Sequence, residues 1–240
     1  MKSAVVIGAT SGIGKEVALC LIKKGWTVGI AGRRKKLLEE IENEYPESVR
    51  SRVIDVRQND AAEQLLSLIK QTGGIDLFFL ATGVGKQNPT LEADIEIYTS
   101  ETNVTGFIRM ITAAYRYFSD KKEGHIAVIS SIAGIKGLGN AASYSASKRF
   151  QGTYIEALEQ LSNRNRLNIA FTDIRPGFVK TAILDDNYKY PMLMNPREVA
   201  EKIVRAIEKK KRVVIIDWRY KILVFLWRLL PRRLWVKMKI

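Results

Sequence analysis

Residues 4–22 carry the feature that most limits what this chain can fold into: a β-branched run, a glycine turn and a helical apolar pattern, in that order. The run is Ala4-Val5-Val6-Ile7, the turn is Gly8-Ala9-Thr10-Ser11-Gly12-Ile13-Gly14, and the pattern is Val17, Leu19, Leu21 and Ile22. Such a sequence predicts a strand that delivers the backbone N–H groups of a helix start to an anion, with glycines where side chains would obstruct a diphosphate. The Gly8-x3-Gly12-x-Gly14 spacing reads as a dinucleotide site; its competitor is a tight strand-to-helix turn that holds no ligand.

The rest of the chain repeats the alternation. Apolar runs at 27–31, 53–56, 75–81, 126–129, 167–174 and 213–216 read as further strands, separated by stretches with helical periodicity. Near-continuous apolar runs belong to strands covered on both faces, and strands alternating with helices build a doubly wound parallel sheet with its ligand across the C-terminal edge. The expectation is a single Rossmann-like α/β domain over 1–217, a seven-stranded parallel sheet with helices on both faces, and a tail over 218–240. Its length of 240 residues suits one domain. Asn195-Pro196 predicts an N-cap and first helical residue for a helix running to Lys211.

The residues at the predicted sheet edge have chemistry in common. After the second strand come Arg33 and Arg34, where an NAD site carries an acid for the ribose 2′-hydroxyl; guanidinium groups complement a 2′-phosphate and favour NADP(H). The competing reading is a solvated, basic helix start. Asp55 and Val56 close the third strand, with Asp55 placed for the adenine edge. Thr82 and Gly83 follow the fourth strand, and Ser130 and Ser131 the fifth. Pro176-Gly177 turns the chain after the sixth, leading to Val179 and a hydroxyl at Thr181.

Tyr144-Ser145-Ala146-Ser147-Lys148 holds the reactive pair. Residues four apart share a helix face, so an ammonium sits beside a phenol, and a close cation favours the phenolate and lowers its pKa toward the working range. Ser143 offers an N-cap to that helix. The single His125 excludes a His-based triad and a multi-histidine metal site, and no metal is called for. Cys20, the one cysteine, excludes an intrachain disulfide and reads as a buried structural thiol. The start Met1-Lys2-Ser3 lacks an export signal, which predicts a cytoplasmic protein.

With Gly8-x3-Gly12-x-Gly14, Asn103, Ser131, Tyr144-x3-Lys148 and Pro176-Gly177 in order, residues 1–217 resemble the short-chain dehydrogenase/reductase family. The resemblance implies hydride transfer between a nicotinamide and a carbonyl or alcohol carbon. By position it makes Tyr144 the general acid, gives Lys148 the nicotinamide ribose and the lowering of the Tyr144 pKa, gives Ser131 rather than Ser130 the substrate oxygen, and gives Asn103 a proton-relaying water. It extends the cofactor contacts over Gly8, Thr10, Ser11, Gly12, Ile13, Gly14, Arg33, Arg34, Asp55, Val56, Thr82, Gly83, Tyr144, Lys148, Pro176, Gly177, Val179 and Thr181. It also implies a homo-dimer or homo-tetramer built on long central helices. One departure is plain: Leu80-Ala81-Thr82-Gly83 stands where the family has Asn-Asn-Ala-Gly, so two amides that tie strands and line the cofactor pocket are missing.

The net charge of +14 is concentrated near the C-terminus. Residues 218–230 are apolar nearly all round and flanked by Arg and Lys, but the run is too short to span a membrane. It reads as an interfacial anchor on anionic lipid, or as a helix packing on the substrate pocket or a partner subunit. Nucleic-acid binding lacks a recognition motif. The tail resembles that of family members acting on lipid-linked sugars, which implies an apolar or lipid-attached substrate; the segment 182–194, with Asp185, Asp186, Asn187 and Tyr188, reads as its cover. The alternative to an enzyme is a membrane-associated scaffold or NADP(H) sensor without turnover.

Overall fold

A computed structural model describes residues 2–184 and 189–238; Asp185, Asp186, Asn187 and Tyr188 of the expected cover lie outside the described residues. Seven parallel strands form one sheet, as the alternation predicts, and their order is β3-β2-β1-β4-β5-β6-β7. They are β1 (Ser3–Ile7), β2 (Thr27–Gly32), β3 (Val49–Val53), β4 (Leu77–Leu80), β5 (Glu123–Ile129), β6 (Asn168–Arg175) and β7 (Val213–Ile215). The order reverses between β1 and β4, where an open α/β sheet leaves its ligand crevice.

Side chains alternate across the strands, so each face of the sheet has its own core. Ala4 and Val6 of β1 point to one side, with α1 (Gly12–Lys23), α2 (Lys35–Glu44) and α7 (Pro196–Glu208); Val5 and Ile7 point to the other, with α3 (Ala61–Gln71), α5 (Phe107–Lys121) and α6 (Ala142–Arg164). A shorter helix, α4 (Ala93–Ser100), continues through a π-helical stretch, Glu101–Gly106, into α5. Two further helices, α8 (Trp218–Leu229) and α9 (Arg232–Trp235), form the tail.

Several boundaries differ from the sequence reading. The third strand ends at Val53, so Asp55 and Val56 lie beyond it. The fourth is only Leu77–Leu80. α6 starts at Ala142, which places Ser143 inside the first turn, where its N–H donates to Glu96 Oε2 instead of its hydroxyl capping the helix. α5 ends at Lys121, its C-cap Lys122 lying in the left-handed region at φ 67°, and Gly124 belongs to β5. α7 is capped by Asn195, whose Oδ1 accepts from Arg197 N at 2.9 Å, and stops at Glu208.

Candidate active site

The glycine turn is shaped by close approach. Gly8 N and Ala9 N donate to Ala31 O at 2.8 and 3.0 Å, which ties the turn to the end of β2. A Cβ on Gly14 would stand 2.3 Å from Gly8 O, so only glycine lets α1 begin directly against the turn. Thr181 closes over the same turn, its Cγ2 lying 3.0 Å from where a Gly12 Cβ would be. The first N–H groups of α1 are left for an anion. Thr10, Ser11, Ile13 and Thr181 thus share one end of the sheet.

Two guanidinium groups border the turn. Arg34 Nη2 donates to Thr10 Oγ1 and Ser11 Oγ, both at 2.6 Å, and Arg33 Nη1 donates to Tyr98 OH at 2.8 Å. Hydroxyl acceptors leave the positive charge unneutralised, so both groups can take a phosphate. Asp55 has a partner of its own. Arg57 engages its carboxylate from its backbone N, Nε and Nη2 at 3.0, 3.2 and 2.7 Å, and this pairing holds the Asp55 pKa below the usual carboxylate range. The Arg57 guanidinium lies 4.8 Å from the Tyr98 ring centroid. Arg57 and Tyr98 therefore belong to the site although the sequence reading passed over them; Asp55-x-Arg57 was a visible signal, whereas Tyr98 is brought in only by the packing of α4.

Ser130 and Ser131 take separate roles. The Ser130 hydroxyl turns inward to Asp173 Oδ1 and Ile174 O. Ser131 Oγ accepts from Ala133 N at 3.1 Å and meets the Tyr144 hydroxyl. Pro176 O accepts from Ile132 N at 3.2 Å, which draws the turn after β6 to the same edge. Tyr144 rests against Gly85, where a Cβ would lie 2.6 Å from the ring.

Lys148 is buried, and its Nζ donates to Ile129 O at 2.9 Å and to Gln151 Oε1 at 3.0 Å. Burial lowers its pKa to about 8, with Asp173 pulling the other way. Its Nζ is 5.8 Å from the Tyr144 ring centroid. The phenol itself sits above its ordinary value because burial outweighs the bond to Ser131. The Lys148 ammonium directs its hydrogen bonds to Ile129 and Gln151.

Asn103 is bonded through both ends of its amide. Its Nδ2 donates to Val84 O at 2.7 Å and Ser147 Oγ at 3.1 Å, and its Oδ1 accepts from Val84 N at 2.9 Å. It pins the loop after β4, where Leu80-Ala81 offers no amide. Its own carbonyl, in the π-helical stretch, accepts from Gln151 Nε2 at 2.9 Å. Gln151 links Asn103 to Lys148 and was missed; its place one turn beyond Lys148 on the same helix was the available signal.

Val56 packs on the end of the π stretch, where a Gly106 Cβ would lie 2.6 Å from it, and Thr82 crosses Gly8 at the β1–β4 junction. A Cβ on Gly83 would come within 3.2 Å of Lys148 Nζ, and Val179 bridges to Met194. Gly177 lies flat on the Tyr220 ring of α8, with 2.2 Å between a notional Cβ and Cζ. A glycine turn, a cationic rim and a serine–tyrosine–lysine cluster along one sheet edge fit a nicotinamide dinucleotide beside a reducible group.

The family model described as short chain dehydrogenase matches residues 2–190. The chain belongs to that family. An uncharacterised oxidoreductase of Myxococcus xanthus is 32% identical over 97% of this chain and 94% of its own length. Another, from Staphylococcus aureus, is 29% identical over 88% of this chain and 93% of its own. Among solved structures, a variant of actinorhodin polyketide ketoreductase with NADPH superposes with a TM-score of 0.78 at 25% identity, covering 90% of this chain and 95% of that one. Levodione reductase superposes at 0.79 and 21% identity over 90% and 96%, a likeness of fold. The chain is an oxidoreductase of a family that uses nicotinamide dinucleotides and takes small-molecule substrates.

Proposed function

We propose that this chain is an NADP(H)-dependent carbonyl reductase, reversible as an alcohol dehydrogenase, with Tyr144 as its general acid. The observation that carries the reading is the meeting of Ser131, Tyr144 and Lys148 on the sheet edge that also holds the glycine turn, with Arg33 and Arg34 at its rim. NADPH in a related ketoreductase agrees with that rim.

Arg33, Arg34, Thr10 and Ser11 would hold the 2′-phosphate end, the α1 start the diphosphate, and Lys148 the nicotinamide ribose. The cofactor supplies the hydride to the carbonyl carbon. Tyr144 and Ser131 hydrogen-bond the substrate oxygen, fixed dipoles stabilise the negative charge that grows there, and the Tyr144 proton completes the alcohol. Lys148 then has to leave Ile129 and Gln151 far enough to face the phenol, which brings down a pKa that burial holds up. An apolar or lipid-attached carbonyl compound is the substrate class, self-association as a dimer or tetramer is part of the same reading, and the cytoplasmic face of a membrane, with peripheral attachment through 218–240, is the setting that fits it.

Titration of the full chain with NADPH and NADH, read by energy transfer from tryptophan to the nicotinamide, tests this. NADPH is expected to bind at least about tenfold more tightly, and Arg33→Ala/Arg34→Ala to abolish the preference. Tyr144→Phe should keep cofactor binding and lose on the order of 10²-fold or more in turnover of a simple ketone. Failure of both nucleotides to bind would leave the scaffold reading; binding with no effect of Tyr144→Phe on turnover would remove the assigned acid.

A further inference from the structure

The tail helix α8 is apolar on two faces, and the domain covers only one. Tyr220 and Val224 are buried, with Leu223 and Trp227 packed beside them, at the i, i+3, i+4, i+7 spacing of an inward stripe. Trp218, Ile222, Phe225, Leu226 and Leu229 form a second stripe on the opposite side, and each is between 52% and 67% exposed. A contiguous outward row of large apolar side chains calls for a partner.

Charge decides which partner. From Trp218 onward the sequence has seven cations and no acid, half of the net charge of +14 within the last 23 of 240 residues. A second copy seated on this stripe would oppose like charges across a two-fold axis, whereas an anionic bilayer complements them. A 12-residue helix is about 18 Å long against about 30 Å of hydrocarbon, so α8 can lie in the interface but not cross it. Among the described residues no helix is long and apolar enough to span.

We propose that the outward stripe of α8, with the cations of α9, seats this protein on an anionic bilayer surface with α8 in the plane of the headgroups. This deepens the reductase reading by saying which surface meets lipid. The inward stripe links that surface to the site. The Tyr220 hydroxyl accepts from Phe178 N at 3.1 Å and reaches Pro191 O and Met192 O at 3.0 and 3.1 Å, so it ties the chain just after the Pro176-Gly177 turn to the far end of the segment expected to cover the substrate. Docking therefore sets the 189–194 end of that segment beside the lipid, where an amphiphilic carbonyl compound enters without crossing water.

Co-sedimentation of the full chain with phosphatidylglycerol/phosphatidylcholine vesicles and with pure phosphatidylcholine vesicles, without nucleotide, tests the surface. Binding is expected to the first only and to weaken with salt. Phe225→Glu/Leu229→Glu should abolish it while leaving the unfolding temperature and NADPH binding unchanged, because both side chains already face water. Arg232→Ala/Arg233→Ala should weaken it roughly tenfold or more. No binding to anionic vesicles, binding that survives the glutamate pair, or a light-scattering dimer dissolved by that pair in place of vesicle binding would each overturn the proposal. NADPH binding without vesicle binding sinks this surface alone, and vesicle binding without NADPH binding sinks the reductase reading alone.

Discussion

At the scale of single residues, the site rests on how Lys148 is kept charged in a buried place. Its pKa stands at about 8 because water has been removed, and only a few acceptors offset that loss: Ile129 O, Gln151 Oε1, and the more distant charge of Asp173, itself paired with Arg175 and bonded to Ser130. Gln151→Leu removes one acceptor and leaves the Asn103 carbonyl without its amide. The Lys148 pKa should fall below its present value, and the fold should lose about 1–3 kcal/mol. Gln151→Glu should do the opposite to the pKa, since a carboxylate beside the ammonium favours its charge. Titration of the lysine ε-carbon signals by NMR, assigned with Lys148→Met, reads both shifts; equal values in all three proteins would dismiss Gln151 as a setter of this charge. Tyr144, Lys148 and Ser131 were legible from type and spacing alone. Gln151 and Arg57 stand out less: spacing puts each beside a named residue, Lys148 and Asp55, but the π-helical carbonyl that Gln151 also bonds is made only by the fold.

Among the elements, β5 and β6 have a buried histidine between them. His125 Nε2 and Thr172 Oγ1 are 2.8 Å apart, and burial first, with Lys210 second, lowers the His125 pKa to about 4. The unfolded chain takes up a proton near pH 6.5 that the folded chain refuses until about 4, so the unfolded state binds more protons across that window. Stability is therefore complete above pH 6.5 and falls as the pH drops toward 4, by about 3 kcal/mol from this group. Urea midpoints at pH 7 and pH 4.5 should converge in His125→Gln more than in the parent; an unchanged difference would mean that carboxylates alone carry the acid sensitivity. The parallel sheet, its strand count and helices on both faces were legible because continuous apolar runs between helical patterns leave few alternatives. Strand ends were less so: β4 stops at Leu80 because Ala81, although tied to Ile7 O, begins the loop that passes the glycine turn.

The same scale holds the latch between α8 and the cover segment. Tyr220→Phe keeps the ring under Gly177 and deletes the hydroxyl, leaving the Phe178 N–H without its acceptor, a loss of about 1–3 kcal/mol. The loss should stay local. Hydrogen exchange at residues 178–194 is expected to quicken, while β1, β4 and β5 keep their protection. Uniform acceleration would show that the ring, and not the hydroxyl, was what mattered. The sequence marked this segment as a cover by its lack of periodicity, but nothing in it pointed to a tyrosine of the tail as its fastening.

For the molecule as a whole, the tail is both part of the core and half of the charge, so deleting it cannot isolate either role. Tyr220 and Val224 are fully buried, Trp235 Nε1 donates to Gly137 O at 2.7 Å, and Lys136 Nζ donates to Leu230 O at 2.9 Å. Each large side chain withdrawn from the core removes roughly 1.5–3 kcal/mol, and two of them amount to much of the ~5–15 kcal/mol by which a domain of this kind is stable. A chain ending at Asp217 is therefore expected to unfold at a temperature about 10 °C or more below the full chain, to bind a hydrophobic dye through the uncovered face of β7 and the Gly177 turn, and to lose cofactor affinity with it. Phe225→Glu/Leu229→Glu touches only the outward stripe and should do none of this. Calorimetry of the two proteins side by side separates the faces: equal unfolding temperatures in the truncated and full chains would mean that α8 is an appendage and that its inward packing contributes nothing, whereas a drop confined to the truncation makes the tail a structural member of the domain whose outer side alone is free to meet a partner.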